Sequence, residues 1–161
     1  TSAYKQALDI LIIDDGSKDR TAAIAAKYEA KDPDVFRLVR KENGGWGSTL
    51  NTGMKLARGR YFKQLDGDDH FSVENLDGYL AFLTGCSEDL VYTPFLTFDD
   101  RTGAVLRELG RYDGHLLPQR KTVYLNEVTD FVPAMHTMTV RTEVLRQHPV
   151  HITEHCFYTD V

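Results

Sequence analysis

Between Leu8 and Gly85, three short apolar runs alternate with three helix-forming segments. Leu8 to Ile13 (Leu-Asp-Ile-Leu-Ile-Ile) is nearly continuous and rich in β-branched residues, as in a strand covered on both faces. Val35 to Arg40 and Arg60 to Leu65 read as the second and third strands. The helices are expected over Thr21 to Lys31, about Thr49 to Ala57, and Val73 to Leu83. Ser17 or Asp19 is placed to cap the first helix and Pro33 ends it. Gly59 and Gly85 close the second and third. This alternation predicts the α/β class, a Rossmann-like three-layer α/β/α sandwich with a mostly parallel central sheet. In such sheets ligands bind beyond the carboxyl ends of the strands.

After Glu88 the pattern changes. Asp89 to Phe98 and Ala104 to Leu109 are extended runs joined by the turn-rich Asp99-Asp100-Arg101-Thr102-Gly103, as in a β-hairpin. Lys121 to Leu125 and Phe131 to Val140 are also extended, and Thr142 to Gln147 reads as helical. The C-terminal half is therefore mixed α+β. No repeat or long linker divides the chain, so residues 1–161 are expected to form a single domain.

Charge and cysteine usage narrow the function classes. Lys and Arg total 19 against 24 for Asp and Glu, a net charge of −5, which argues against a general nucleic-acid binder with a basic face. Cys86 and Cys156 are too few and too far apart for a disulfide framework or a zinc ribbon, and a reducing compartment fits better. No apolar run approaches the roughly 20 residues needed to cross a bilayer, and no apolar region follows a basic start at Thr1-Ser2-Ala3-Tyr4-Lys5. The chain opens without Met, just ahead of a strand-like run, and stops at Asp160-Val161. It reads as an internal segment, incomplete at both ends.

The chemistry is concentrated at two acidic turns. Asp66-Gly67-Asp68-Asp69 places three carboxylates within four residues at a strand end. Such a cluster repels itself unless a cation neutralises it, and oxygen ligands select hard divalent ions such as Mn2+ or Mg2+. A spacing of two points Asp66 and Asp68 the same way, and Gly67 leaves room between them. An EF-hand is excluded, because its fifth and sixth loop positions would be His70 and Phe71. Asp14-Asp15-Gly16-Ser17 ends the first strand. A carboxylate there can accept from a nucleobase or ribose, or it can simply cap a helix. Gly44-Gly45-Trp46-Gly47 matches neither phosphate-loop template and reads as a flexible loop passing close to a ligand.

Taken together, these pieces resemble family 2 glycosyltransferases, inverting enzymes of the GT-A fold. The likeness is carried by Asp9 to Thr21 (a DDGS-x-D-x-T block), by Asn43-Gly44-Gly45 and Asn51-Thr52-Gly53, and by Gly59 to Asp69, which ends in an LDxDD block. The resemblance implies a nucleotide-sugar-binding half over 1–85 and an acceptor-side half over 86–161. It implies that Asp15, with Asp14, contacts the nucleobase of a donor, with Asn43 in the same set. Asp66 would lie near the ribose. Asp68, helped by Asp69, would hold Mn2+ or Mg2+ on the diphosphate. It also implies a carboxylate base downstream that deprotonates the acceptor hydroxyl. The segment His155 to Asp160 matches that region, which makes Asp160 the candidate and Glu154 the alternative. Phe131 to Met138 resembles the acceptor-side wall, where His136 would touch acceptor or diphosphate. The first apolar strand and P-x-Y/F-N turn with which the family opens are not seen, leaving unpaired sheet edges beside Leu8 to Ile13. Thr49-Leu50-Asn51 stands where many relatives carry Ala-Arg-Asn, so no Arg contact to the donor is carried over.

Two further groups carry alternatives. His148, His151, His155 and Cys156 have metal-ligand character, yet Pro149 and Ile152 disfavour the helix that would gather them. Trp46 and Tyr158 can stack on a sugar ring or pack as ordinary aromatics. The expectation is thus a metal-dependent inverting glycosyltransferase acting in cell-surface polysaccharide synthesis. It would use a UDP-linked donor and a saccharide or lipid-linked acceptor, on the cytoplasmic side, with peripheral membrane docking through other parts. A nucleotidyltransferase and a catalytically inactive nucleotide-sugar-binding module are the competing readings.

Overall fold

The computed structural model describes residues 2–109 and 134–156. Strands β1 (Ile10–Asp14) and β2 (Phe36–Arg40) pair in parallel, with Ile10 opposite Phe36 and Asp14 opposite Arg40. Helix α1 (Thr21–Lys31) joins them and covers one face. Its small residues allow close approach: Ala25 is buried, and Tyr28 packs on Phe36 with ring centroids 5.6 Å apart. Asp19 performs the capping, accepting from the Thr21 N–H at 2.9 Å. The Ser17 N–H goes to Asp14 instead.

Helix α2 (Gly45–Leu56) begins within the glycine-rich segment, so the expected flexible loop at 44–47 is the entry turn of a helix. It also ends before Gly59. The Leu56 carbonyl accepts from Arg37 at 2.9 Å, and Ala57 takes an extended conformation. Strand β3 shrinks to Tyr61–Phe62, and Lys63 to Leu65 run on unpaired toward the acidic turn. Helix α3 (Val73–Gly85) includes Gly85, and its last carbonyls, Leu83 and Thr84, accept from Arg60.

The extended run Asp89 to Phe98 divides at Thr93-Pro94, where proline has no N–H to donate to a ladder. Strand β4 (Leu90–Tyr92) pairs antiparallel with β7 (Met138–Arg141), which also pairs with β3. Strand β5 (Phe95–Phe98) forms the expected hairpin with β6 (Val105–Leu109). Its turn is pinned by Asp99, whose carboxylate accepts from the N–H groups of Arg101 and Thr102 at 2.9 and 3.0 Å. A 3-10 turn (Met135–Thr137) precedes β7, and α4 (Thr142–Gln147) follows it. Lys121 to Leu125 and Phe131 to Pro133 lie outside the described residues.

Among the described residues, β1–β2 is the parallel pair and the remaining pairings are antiparallel. Neither β1 nor β3 has a second ladder partner there. Both lie against α2, where a Cβ on Gly53 would stand 3.4 Å from Ile13 and from Phe62. With an edge open, Ile10 to Ile13 are half-buried rather than fully covered. No described helix is long and apolar enough to cross a membrane.

One ion pair ties β1, β2 and α2 together. Arg37 donates twice to the Asp9 carboxylate, at 2.7 Å each, and the Arg58 N–H adds a third bond at 3.2 Å. The Arg37 hydrogen bonds hold the Asp9 carboxyl below the usual carboxylate range. Its folded pKa therefore lies below the unfolded one, so its contribution is present above the unfolded value and fades as pH falls through the folded value. Asp9→Asn is expected to cost about 1–2 kcal/mol at pH 7. Urea melts should show that gap closing as pH falls below the ordinary aspartate range.

Candidate functional site

The carboxyl end of β1 is built around Asp14, Asp15 and Gly16. Gly16 adopts φ +79°, and a Cβ there would stand 3.1 Å from the Asn43 nitrogen, so the sharp turn needs glycine. Asp14 is 2% exposed. Its Oδ1 accepts from the Ser17 N–H at 2.9 Å, and its Oδ2 has no hydrogen-bond partner. Arg40 Nε stands 3.4 Å from Oδ2 as an ion pair. The hydrogen bonds from Ser17, with Arg40 behind them, hold the carboxyl below its ordinary value.

Asp15 faces the start of α2. It accepts from Lys41 Nζ at 2.5 Å and from the N–H groups of Gly44 and Gly45 at 3.0 and 2.8 Å. Burial opposes ionisation, but these donors outweigh it and its pKa is lowered. A carboxylate across the first N–H groups of a helix complements their unsatisfied donors and the dipole. This explains why a glycine-rich segment is helical. Asn43 donates to the Asp15 carbonyl at 3.0 Å and locks the turn from the other side.

The acidic turn follows β3. Asp66 Oδ1 accepts from Trp46 Nε1 at 3.1 Å and from Gln64 Nε2 at 2.8 Å. Trp46 thus orients a carboxylate rather than offering only a ring. The sequence carries no local signal for that role or for the role of Gln64 beyond the polar pair Lys63-Gln64 that follows Tyr61-Phe62. The Asp15–Gly44/Gly45 and Trp46–Asp66 bonds link both acidic turns through one helical turn. Asp68 and Asp69 are exposed, and a Cβ on Gly67 would meet nothing within 4 Å. No group of three or more metal-binding side chains occurs among the described residues. Two open carboxylates fit a hard divalent ion that takes its remaining oxygens from water and a ligand's phosphates, the usual manner of Mg2+.

Residues 150–155 lie along α2. Asn51 clamps the Ile152 backbone, donating to its carbonyl at 2.8 Å and accepting its N–H at 2.9 Å. Asn51 also donates to Glu154 at 3.0 Å. His155 donates its N–H to the Gly44 carbonyl at 3.0 Å and takes φ +54°, uncommon for a residue with a side chain. Since α4 ends at Gln147, His148, His151, His155 and Cys156 share no helix, and they form no metal cluster. His136 sits in the 3-10 turn before β7, edge-on to Phe95 with centroids 4.6 Å apart. Asp160 and Tyr158 lie outside the described residues.

Comparison with known proteins agrees with this geometry. The chain is 42% identical over 65 residues to the uncharacterized glycosyltransferase EpsJ of Bacillus subtilis (strain 168), covering 40% of this chain and 19% of that protein. It is 33% identical over 98 residues to the minor teichoic acid biosynthesis protein GgaB of the same strain, covering 60% of this chain and 11% of GgaB. The chain therefore spans under a third of the length of these relatives. The crystal structure of S. aureus TarS 1–349 in complex with UDP-GlcNAc superposes with a TM-score of 0.64 at 23% identity, over 97% of this chain and 43% of TarS. That likeness makes the fold GT-A-like, an α/β architecture. The Glycosyl transferase family 2 model matches residues 1–147, and with both acidic turns in place the chain belongs to that family.

Proposed function

We propose that this chain carries the donor-binding part of an inverting glycosyltransferase that moves a sugar from a nucleoside diphosphate, UDP in the first instance, to a saccharide or lipid-linked acceptor. The carrying observation is the pair of acidic turns joined through the first turn of α2. Asp15 would contact the nucleobase, with Asp14 behind it, buried and ion-paired to Arg40 at 3.4 Å. Asp15 and Asn43 shape that pocket through the turn they hold. Asp66, oriented by Trp46 and Gln64, keeps its second oxygen for the ribose. Asp68 and Asp69 would hold Mn2+ or Mg2+, which stabilises charge on a departing diphosphate. Asp160 is the base, and His136 belongs to the acceptor wall. Residues 1–85 form the nucleotide-sugar half and 86–161 the acceptor half of one domain. The printed role of GgaB in minor teichoic acid biosynthesis and the UDP-GlcNAc held by TarS support a part in cell-surface polysaccharide synthesis, for which we propose the cytoplasmic side.

A thermal-shift panel on the full-length protein tests the reading. UDP at about 100 times its Kd should add roughly 2.7 kcal/mol, a rise of several degrees. That rise should require Mn2+ and disappear in Asp68→Ala. Equal stabilisation in Asp68→Ala, or none by any nucleoside diphosphate with Mn2+, would defeat it.

A further inference from the structure

Between the acidic turn and the β5–β6 hairpin lies a cavity of 520 Å³. Small-molecule sites usually fall between about 300 and 1,000 Å³. Of the carboxylates assigned to the donor and metal, only Asp69 reaches it. Phe71, Tyr79, Phe95 and Phe98 stand among aliphatic and polar residues in its walls. Phe98 meets His70 edge-on at 4.8 Å between centroids, and Phe95 meets His136 at 4.6 Å. The lysine among its described lining residues is Lys63. Its Nζ donates to the His136 carbonyl at 2.6 Å and stands 5.8 Å from the Phe71 ring centroid.

An ammonium has three N–H donors, and the described residues accept one of them. The group is also largely dehydrated: burial draws the lysine down to about 8, with Asp69 pulling the other way. Glu108 lines the cavity too and has a partner of its own, and Asp69 is the second carboxylate of the lining. A half-buried cation with open donors selects an anion, because a charge-assisted bond replaces the water it has lost. The aromatic rings in the walls suit the C–H faces of a sugar or polyol.

We propose that this cavity is an acceptor subsite for a phosphorylated or carboxylated sugar or polyol, with the anionic group on Lys63 and the carbon skeleton against Phe71 and Phe95. The term acceptor rests on the glycosyltransferase reading; the anion preference does not. The subsite places an acidic acceptor beside the acidic turn, so the charge on Lys63 discriminates between acidic and neutral acceptors.

The test uses full-length protein with the donor cleft filled by UDP and Mg2+, which is diamagnetic and leaves nearby ring resonances visible. It is titrated with glucose 6-phosphate, glucuronate and glucose, followed by NMR. At least one acidic sugar should bind roughly tenfold or more tightly than glucose, and the Phe71 and Phe95 ring resonances should shift. Whichever acidic sugar binds tighter identifies the anion as phosphate or carboxylate. Lys63→Gln should reduce both to the level of glucose, and Lys63→Arg should keep the preference. Equal binding of all three sugars, or a preference that survives Lys63→Gln, overturns the proposal. If Lys63→Gln does not fold, wild-type rings that stay still on adding glucose 6-phosphate overturn it as well. The Mn2+-dependent UDP shift should persist in Lys63→Gln, altered in size only through the lost charge interaction with Asp69, so failure here leaves the donor site standing.

Discussion

Adding a methyl group at position 47 is expected to detach residues 150–155 from α2. A Cβ on Gly47 would stand 2.2 Å from the Thr153 carbonyl oxygen and 3.0 Å from its carbon. These are backbone atoms, so no side-chain rotation relieves the contact. The opposing effect is local: alanine is favoured over glycine inside a helix by about 1 kcal/mol. Against that stand about 1–3 kcal/mol of overpacking and the hydrogen bonds that hold the segment. Those are the two Asn51–Ile152 bonds and the His155–Gly44 bond, each contributing about 0.5–1.5 kcal/mol. The loss exceeds the gain, and Gly47→Ala should be less stable by about 1–3 kcal/mol. Amide exchange at Ile152 and His155 should accelerate at the same time. Gly67→Ala is the control, since its Cβ enters open space and should leave stability within about 0.5 kcal/mol. Unchanged exchange at Ile152 in Gly47→Ala would show that the clamp is not what holds the segment.

The same region shows where sequence reasoning ran out. Helices α1 and α4 fall on their expected residues because their signals are local: a capping Asp19 and an Ala-rich stretch for α1, and a compact Thr142–Gln147 segment after a strand for α4. The start of α2 is not local. Three glycines in four residues oppose a helix on intrinsic propensity, and the Asp15 carboxylate, some thirty residues upstream, overrides them. The acidic turns were legible as turns, because carboxylates and glycines at strand ends have few other uses. The partners of each carboxylate were not, because hydrogen bonds such as Trp46 to Asp66 form only once α2 and β3 are side by side. The length of β3 is likewise set by a distant partner: its ladder with β7 covers Tyr61 and Phe62, opposite Arg141 and Val140.

Asp160→Asn is expected to lower kcat by about 10²–10⁴-fold, the usual contribution of a general base, while leaving the Mn2+-dependent UDP shift unchanged. Inversion at the sugar carbon requires the acceptor hydroxyl to lose its proton on the face opposite the leaving diphosphate. A carboxylate on the acceptor side is suited to take it. Glu154 is the competing candidate, and its surroundings argue against it. Its Oε1 accepts from Asn51 Nδ2 at 3.0 Å, alongside the backbone clamp on Ile152. A carboxylate held on Asn51 at α2 is spent on anchoring the segment and is not free to reach an acceptor hydroxyl. Glu154→Gln should therefore keep kcat within a few-fold of wild type and show its effect as faster exchange at Ile152. The split between the two variants is diagnostic. A structural role for Asp160 would lower stability and kcat together, whereas a base lowers kcat at constant melting temperature and removes the acidic limb of the pH–kcat profile. If Glu154→Gln rather than Asp160→Asn removed that limb, the base would be Glu154, and residues 150–155 would have to leave α2 during turnover.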